Sequence, residues 1–145
     1  MRAVIQRVKR TSLSVDGELI SEIPSGLAVY LGVAVGDEEK NAEAMAKKIA
    51  QLRIFEDAAG KMNLSVREAG GEVLLISQFT LCGDCSHGNR PSFTAAARPE
   101  QAKPLYEYVA KLLSDYGLVV RTGVFGADMK IEQYNDGPVT IIYEC

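Results

Sequence analysis

The chain has 145 residues, 47% of them hydrophobic, enough to bury a core as one domain spanning residues 1–145. A net charge of −3 and a pI near 5.2 exclude a general electrostatic grip on nucleic-acid phosphates, so any RNA contact has to be local. The longest apolar run, Gly26 to Val35, falls short of the roughly 20 residues that a membrane-spanning helix needs. No secretory pattern opens the chain, and an odd count of three cysteines fits reduced thiols, so a cytoplasmic location without a membrane partner is expected.

The first element is a strand over Ala3 to Val8. Leu13 and Val15 face Leu19 across Asp16-Gly17, a dipeptide that tolerates the positive φ values of a tight hairpin turn. The unbroken apolar stretch Leu27 to Val35 predicts a central strand covered on both faces. After Asp37, apolar residues recur at Ala42, Met45, Ala46, Ile49 and Leu52, the spacing of a helix over roughly 38–53. Ile54-Phe55 and Met62-Leu64 flank a turn at Gly60, and Glu72 to Leu81 is rich in the β-branched and apolar residues of a strand.

Residues 82–99 form a long Gly-, Ser- and Asn-containing loop, a length that in compact domains often serves function. A second helix follows, with Leu105, Val109, Leu112, Leu113 and Tyr116 on one face and Gly117 as its stop. Val119 to Gly126, Met129 to Tyr134 and Val139 to Tyr143 read as three closing strands. The class is α+β: strand-rich with two main helices.

Cys82-Gly83-Asp84-Cys85 with His87 has the ligand spacing of half a zinc site or of a dithiol pair, but a structural zinc needs four ligands and Cys145 is the only other thiol. His87, the chain's one histidine, could act as a general base, although its Gly-Asn-Arg neighbours suit an exposed loop tip. Ser77 and Thr80 are potential nucleophiles without an evident base partner. On these residues alone, Ser77 to Leu81 is an ordinary strand end, Gly137-Pro138 a simple turn and Arg7 a surface cation.

Ser77-Gln78-Phe79-Thr80-Leu81 together with Asn135-Asp136-Gly137-Pro138-Val139-Thr140 resembles the two signatures of the D-aminoacyl-tRNA deacylases. Similar blocks run through the chain: Met1 to Val8, Leu52 to Asp57, Gly60 to Ser65, Arg90 to Phe93 and Thr122 to Met129. The stretch from Cys82 to Asn89 departs from the family pattern, which usually places a more basic or aromatic sequence there.

The resemblance implies a homodimer with a barrel-like mixed β-sheet and no metal or other cofactor. Its implied partner is aminoacyl-tRNA, bound by the terminal adenosine, and its reaction is hydrolysis of the ester that joins a D-amino acid or glycine to the ribose. Ser77, Gln78, Phe79 and Thr80 would then form the catalytic turn, with main-chain N–H groups serving as oxyanion donors. Gly137 and Pro138, joined by a cis bond and held by Arg7, would exclude L-amino acids from the partner's site, and Phe125 and Met129 would help to bind substrate. The competing classes are a nucleic-acid-binding module that keeps the fold without activity, and a thiol or zinc protein built on Cys82 and Cys85.

Overall fold

The computed structural model describes all 145 residues. Strand β1 (Arg2–Val15) is long, and it turns through Asp16-Gly17 into β2 (Glu18–Ile23). Both turn residues have positive φ, 50° and 83°, as the hairpin expectation requires. The predicted strand over 3–8 is therefore only the first half of β1, because Thr11 and Leu13 bury their side chains and continue the inward alternation past the exposed Lys9 and Arg10.

Strand β3 (Gly26–Gly32) runs antiparallel to β1 and parallel to β6 (Glu72–Ser77), which makes it central. Its apolar run reflects two covers. Leu27, Val29 and Leu31 face one core cluster, and Ala28 faces a second on the opposite side of the sheet with Val8, Leu13, Ile23, Leu74 and Ile76. Helices α1 (Glu39–Gln51) and α2 (Pro99–Asp115) lay Met45, Ile49, Leu105, Val109 and Leu113 on the first cluster. A small hairpin of β4 (Phe55–Glu56) and β5 (Met62–Leu64) stands apart from the main sheet.

The main sheet has the order β2-β1-β3-β6-β7, with β8 (Lys130–Glu144) paired to β1 along nearly its whole length. Strand β7 (Val120–Thr122) adds in parallel to β6, and the Ser21 hydroxyl of β2 donates to the Thr122 carbonyl at 2.7 Å, drawing the sheet's ends toward each other. The result is a nearly closed, barrel-like mixed sheet with two helices.

Four boundaries correct the sequence reading. The central strand stops at Gly32, short of Val35, and the strand expected to reach Leu81 stops at Ser77, where a 3-10 turn over Phe79–Cys82 begins. The expected strand over 119–126 shortens to three residues. The expected gap between the last two strands is absent: β8 passes through Gly137 and Pro138 without ending. Proline has no N–H to contribute to a ladder, and these residues fall beside the register irregularities of β1 between Gln6 and Arg10.

Candidate functional site

Where β6 ends, the chain turns back over β3. The Gln78 N–H donates to the Leu31 carbonyl at 2.8 Å, and the Gly83 N–H to the Thr80 carbonyl at 3.0 Å. Gly32 permits the fold-back, since a Cβ there would stand 2.9 Å from the Gln78 carbonyl oxygen and 3.2 Å from the Leu81 Cβ. Arg2 braces the turn by donating to the Leu81 carbonyl at 2.6 Å. Phe79 and Thr80 open the 3-10 turn, so their N–H groups precede any carbonyl that the turn itself could offer them.

A cavity of about 510 Å³ adjoins this turn, lined mainly by apolar side chains. Ser77, Gln78, Phe79, Phe125 and Met129, all singled out in the sequence, line it together. Thr80 does not line it; its side chain is exposed and its hydroxyl accepts a hydrogen bond from Gln78 Nε2. The Phe125 ring packs 6.0 Å from the Tyr106 ring, and the buried Tyr106 hydroxyl donates to the Leu75 carbonyl at 2.7 Å, two residues before Ser77. Desolvation raises the Tyr106 pKa well above the ordinary phenol value, so this donor stays protonated.

Sequence reading missed part of the wall. Leu31, Val33, Ala97, Pro99, Ala102 and Ile131 also line the cavity. Apolar residues on strands and a helix start carry no signal that separates a pocket wall from core.

Arg7, Gly137 and Pro138 lie elsewhere. Ser77 is level with Leu31, and Leu31 with Ala3, whereas Arg7 stands four residues further along β1. That is a displacement of roughly 14 Å along the strands, and β6 and β8 are further separated by β3 and β1. Arg7 is no surface cation: its side chain is 7% exposed. Its Nη1 donates to the Ile54 carbonyl at 2.7 Å, and its Nε donates to the Asp136 carbonyl at 3.3 Å and lies 3.1 Å from Asp136 Oδ2. Lys9 adds a second cation to Asp136 at 3.4 Å. The Gly137-Pro138 peptide bond is cis, and both residues are exposed.

The cysteines do not assemble a centre. Cys82 is buried, Cys85 exposed and Cys145 half-buried, and no group of three or more His, Cys, Asp or Glu side chains converges as a metal site. Burial pushes the Cys82 and Cys145 thiols above their ordinary pKa. His87 sits exposed at the tip of the loop closed by the Asp84–Ser92 bridge. No helix is long and apolar enough to cross a membrane.

Comparison with known proteins agrees with this geometry. The family model described as D-Tyr-tRNA(Tyr) deacylase matches residues 4–144. A D-aminoacyl-tRNA deacylase of Anaeromyxobacter dehalogenans is 57% identical over 144 residues, covering 99% of this chain and 97% of the relative. One of Brevibacillus brevis is 54% identical, covering 99% of each. Among solved structures, the c-Myc DNA Unwinding Element Binding Protein superposes with a TM-score of 0.92 at 43% identity, covering 100% of this chain and 99% of that one. A probable eukaryotic D-amino acid tRNA deacylase superposes at 0.85 over 98% and 97% of the two chains, and its 15% identity bears on the fold alone. With a family model that spans nearly every residue and relatives above half identity across the whole chain, the protein belongs to the D-Tyr-tRNA(Tyr) deacylases, a family of hydrolases.

Proposed function

We propose that the protein hydrolyses the ester of D-aminoacyl-tRNA, and of glycine carried on a non-cognate tRNA, while leaving L-aminoacyl-tRNA intact. The observation that carries the reading is the junction of the β6 end with the cavity: Ser77, Gln78 and Phe79 line a space large enough for an aminoacyl-adenosine end, next to a turn whose leading N–H groups precede any carbonyl within it. The terminal adenosine occupies the cavity between Phe125, Met129 and the turn. Water adds to the ester carbon, and the Phe79 and Thr80 N–H groups stabilise the oxyanion that forms. The carbon–oxygen bond to the ribose then breaks, and the ribose oxygen takes up the proton that the water loses.

An aminoacyl ester is already activated, so positioning and oxyanion stabilisation supply most of what catalysis needs. The turn holds no histidine, and the Thr80 hydroxyl's hydrogen-bond partner is the Gln78 amide N–H, a donor that cannot take its proton. The vicinal ribose hydroxyl therefore serves as the proton relay. No cofactor enters the scheme.

Chiral choice comes from a second copy of the chain. Gly137 and Pro138 are exposed and far from their own cavity, and Arg7 fixes them from beneath through Asp136. In a homodimer they reach the partner's cavity, where their carbonyls hold the substrate's amino group and crowd one face of its α-carbon. An L side chain meets them, a D side chain points away, and glycine has nothing to exclude. On the outward face of β8, Ile142 is 68% accessible and in register with Val4, and it is the apolar side chain that the second copy would cover.

The solved relative named for DNA binding favours a second reading, in which the same fold binds nucleic acid without hydrolysing it. Incubation of the purified protein with D-tyrosyl-tRNA and L-tyrosyl-tRNA separates the two. Release of D-tyrosine with L-tyrosyl-tRNA intact is expected; stable binding of both without release, or equal rates on both, overturns the deacylase reading.

A further inference from the structure

The cavity is bordered by a pair of aromatic rings of which only one belongs to its wall. Phe79 lines the cavity yet is 54% exposed. Phe93, 36% exposed, meets it edge to face with ring centroids 5.1 Å apart and planes at 71°. Large apolar side chains left this open at the lip of a site have a cost in water unless something covers them.

Phe93 is held in place by its surroundings. Its ring lies against Gly83, where a Cβ would stand 2.9 Å from the Phe93 Cε1. The residue before it, Ser92, exchanges two backbone hydrogen bonds of 2.8 Å with Asp84, and Val35 donates to the Ala95 carbonyl at 2.9 Å just beyond. The backbone on both sides of Phe93 is thus held by hydrogen bonds, and the residue itself stays 36% exposed.

We infer that Phe93, with Phe79, is the stacking platform for the nucleotide that precedes the terminal adenosine, a cytosine in every tRNA. This rests on the deacylase reading: if an aminoacyl-adenosine fills the cavity, the RNA must leave through its mouth, one phosphodiester away. Single-stranded bases stack on exposed aromatic faces without needing a particular sequence, each contributing about 1–3 kcal/mol. Arg90 and Arg98 flank Phe93 in the chain and supply cations for the phosphates that follow. Local recognition of this kind suits a chain whose overall charge is −3.

The experiment compares D-tyrosyl-adenosine with the D-tyrosyl ester of cytidylyl-adenosine, using the full-length enzyme and its Phe93→Ala, Phe93→Leu and Phe93→Tyr variants. Wild-type enzyme should show kcat/KM higher on the dinucleotide ester by about tenfold, the equivalent of about 1.4 kcal/mol of stacking. Phe93→Ala and Phe93→Leu should lose that step while cleaving D-tyrosyl-adenosine at the wild-type rate, and Phe93→Tyr should retain it. Leucine keeps an apolar cover over Gly83, so a loss in both variants separates stacking from packing. The inference is overturned if the wild type gains nothing from the added cytidine, if Phe93→Leu keeps the step, or if both variants lose activity equally on the two esters. If wild-type enzyme cleaves neither short ester, D-tyrosyl-tRNA decides: its deacylation overturns this inference alone, and its survival overturns the deacylase reading and this inference with it.

Discussion

Arg7 and Asp136 meet twice: the guanidinium Nε donates to the Asp136 carbonyl at 3.3 Å and stands 3.1 Å from the carboxylate Oδ2. A buried arginine on β1 thereby holds the residue immediately before Gly137, while its Nη1 satisfies the Ile54 carbonyl from the far side. Two segments about 80 residues apart in the chain are tied through one side chain.

That arrangement separates the carbonyl from the carboxylate by mutation. Arg7→Ala leaves the Ile54 and Asp136 carbonyls without their donor and should lower stability by about 1–3 kcal/mol, read by urea denaturation. It should also abolish or blur the preference for D- over L-tyrosyl-tRNA. Asp136→Asn keeps the main-chain acceptor and should hold chiral preference with a stability loss near 1 kcal/mol or less. Equal damage from both substitutions would show that the ion pair, and not the carbonyl contact, holds the motif.

Thr80 offers a second test. Its hydroxyl is exposed and its partner, the Gln78 amide N–H, cannot act as a base, so Thr80→Ala should keep most of the single-turnover deacylation rate on D-tyrosyl-tRNA. A fall of about a thousandfold or more in a folded variant would make the hydroxyl the nucleophile.

Dimer dependence follows from placing Gly137 and Pro138 in the partner's site. Ile142→Asp replaces an exposed apolar side chain of β8 by a charge and should yield a monomer by sedimentation velocity, with deacylation lost and the circular dichroism spectrum unchanged. A monomeric variant as active as wild type contradicts the shared-site reading.

The thiols predict a pH response. Burial raises the Cys82 and Cys145 pKa, so both stay protonated in the folded protein to higher pH than in the unfolded chain. Their contribution to stability is present below the unfolded thiol pKa and is lost as pH rises through the raised folded value. Iodoacetamide at neutral pH should therefore label the exposed Cys85 first, with Cys82 and Cys145 following only at alkaline pH or on unfolding, as resolved by peptide mass spectrometry. Activity should persist in chelator, and elemental analysis finding one tightly bound zinc per chain would contradict the absence of a converged ligand set.

Local pattern by itself determined the hairpin at Asp16-Gly17, the first helix to within two residues, the existence and stop of the second, and the central place of the strand beginning at Leu27, because turn chemistry, the 3.6-residue period and unbroken apolar runs are properties of neighbours in sequence. The family resemblance, through one signature and the block Thr122 to Met129, named Ser77, Gln78, Phe79, Phe125 and Met129, and the structure lines one cavity with all five. What only the tertiary structure decided is how the remote pieces meet. Whether Arg7 is a surface cation or a buried clamp depends on Ile54 and Asp136 arriving on either side of it, and no local period encodes that. Glu72 to Leu81 read as one strand because it is rich in β-branched and apolar residues, yet the ladder stops at Ser77, where the chain closes onto Gly32 and leaves Phe79 open to water. Gly137-Pro138 read as a simple turn because Asn, Asp, Gly and Pro dominate turns, and β8 passes through it where the register of β1 is irregular at the same level. Strand pairing joins residues far apart in the chain, so its register, and the walls of the cavity it builds, are settled only when those strands meet.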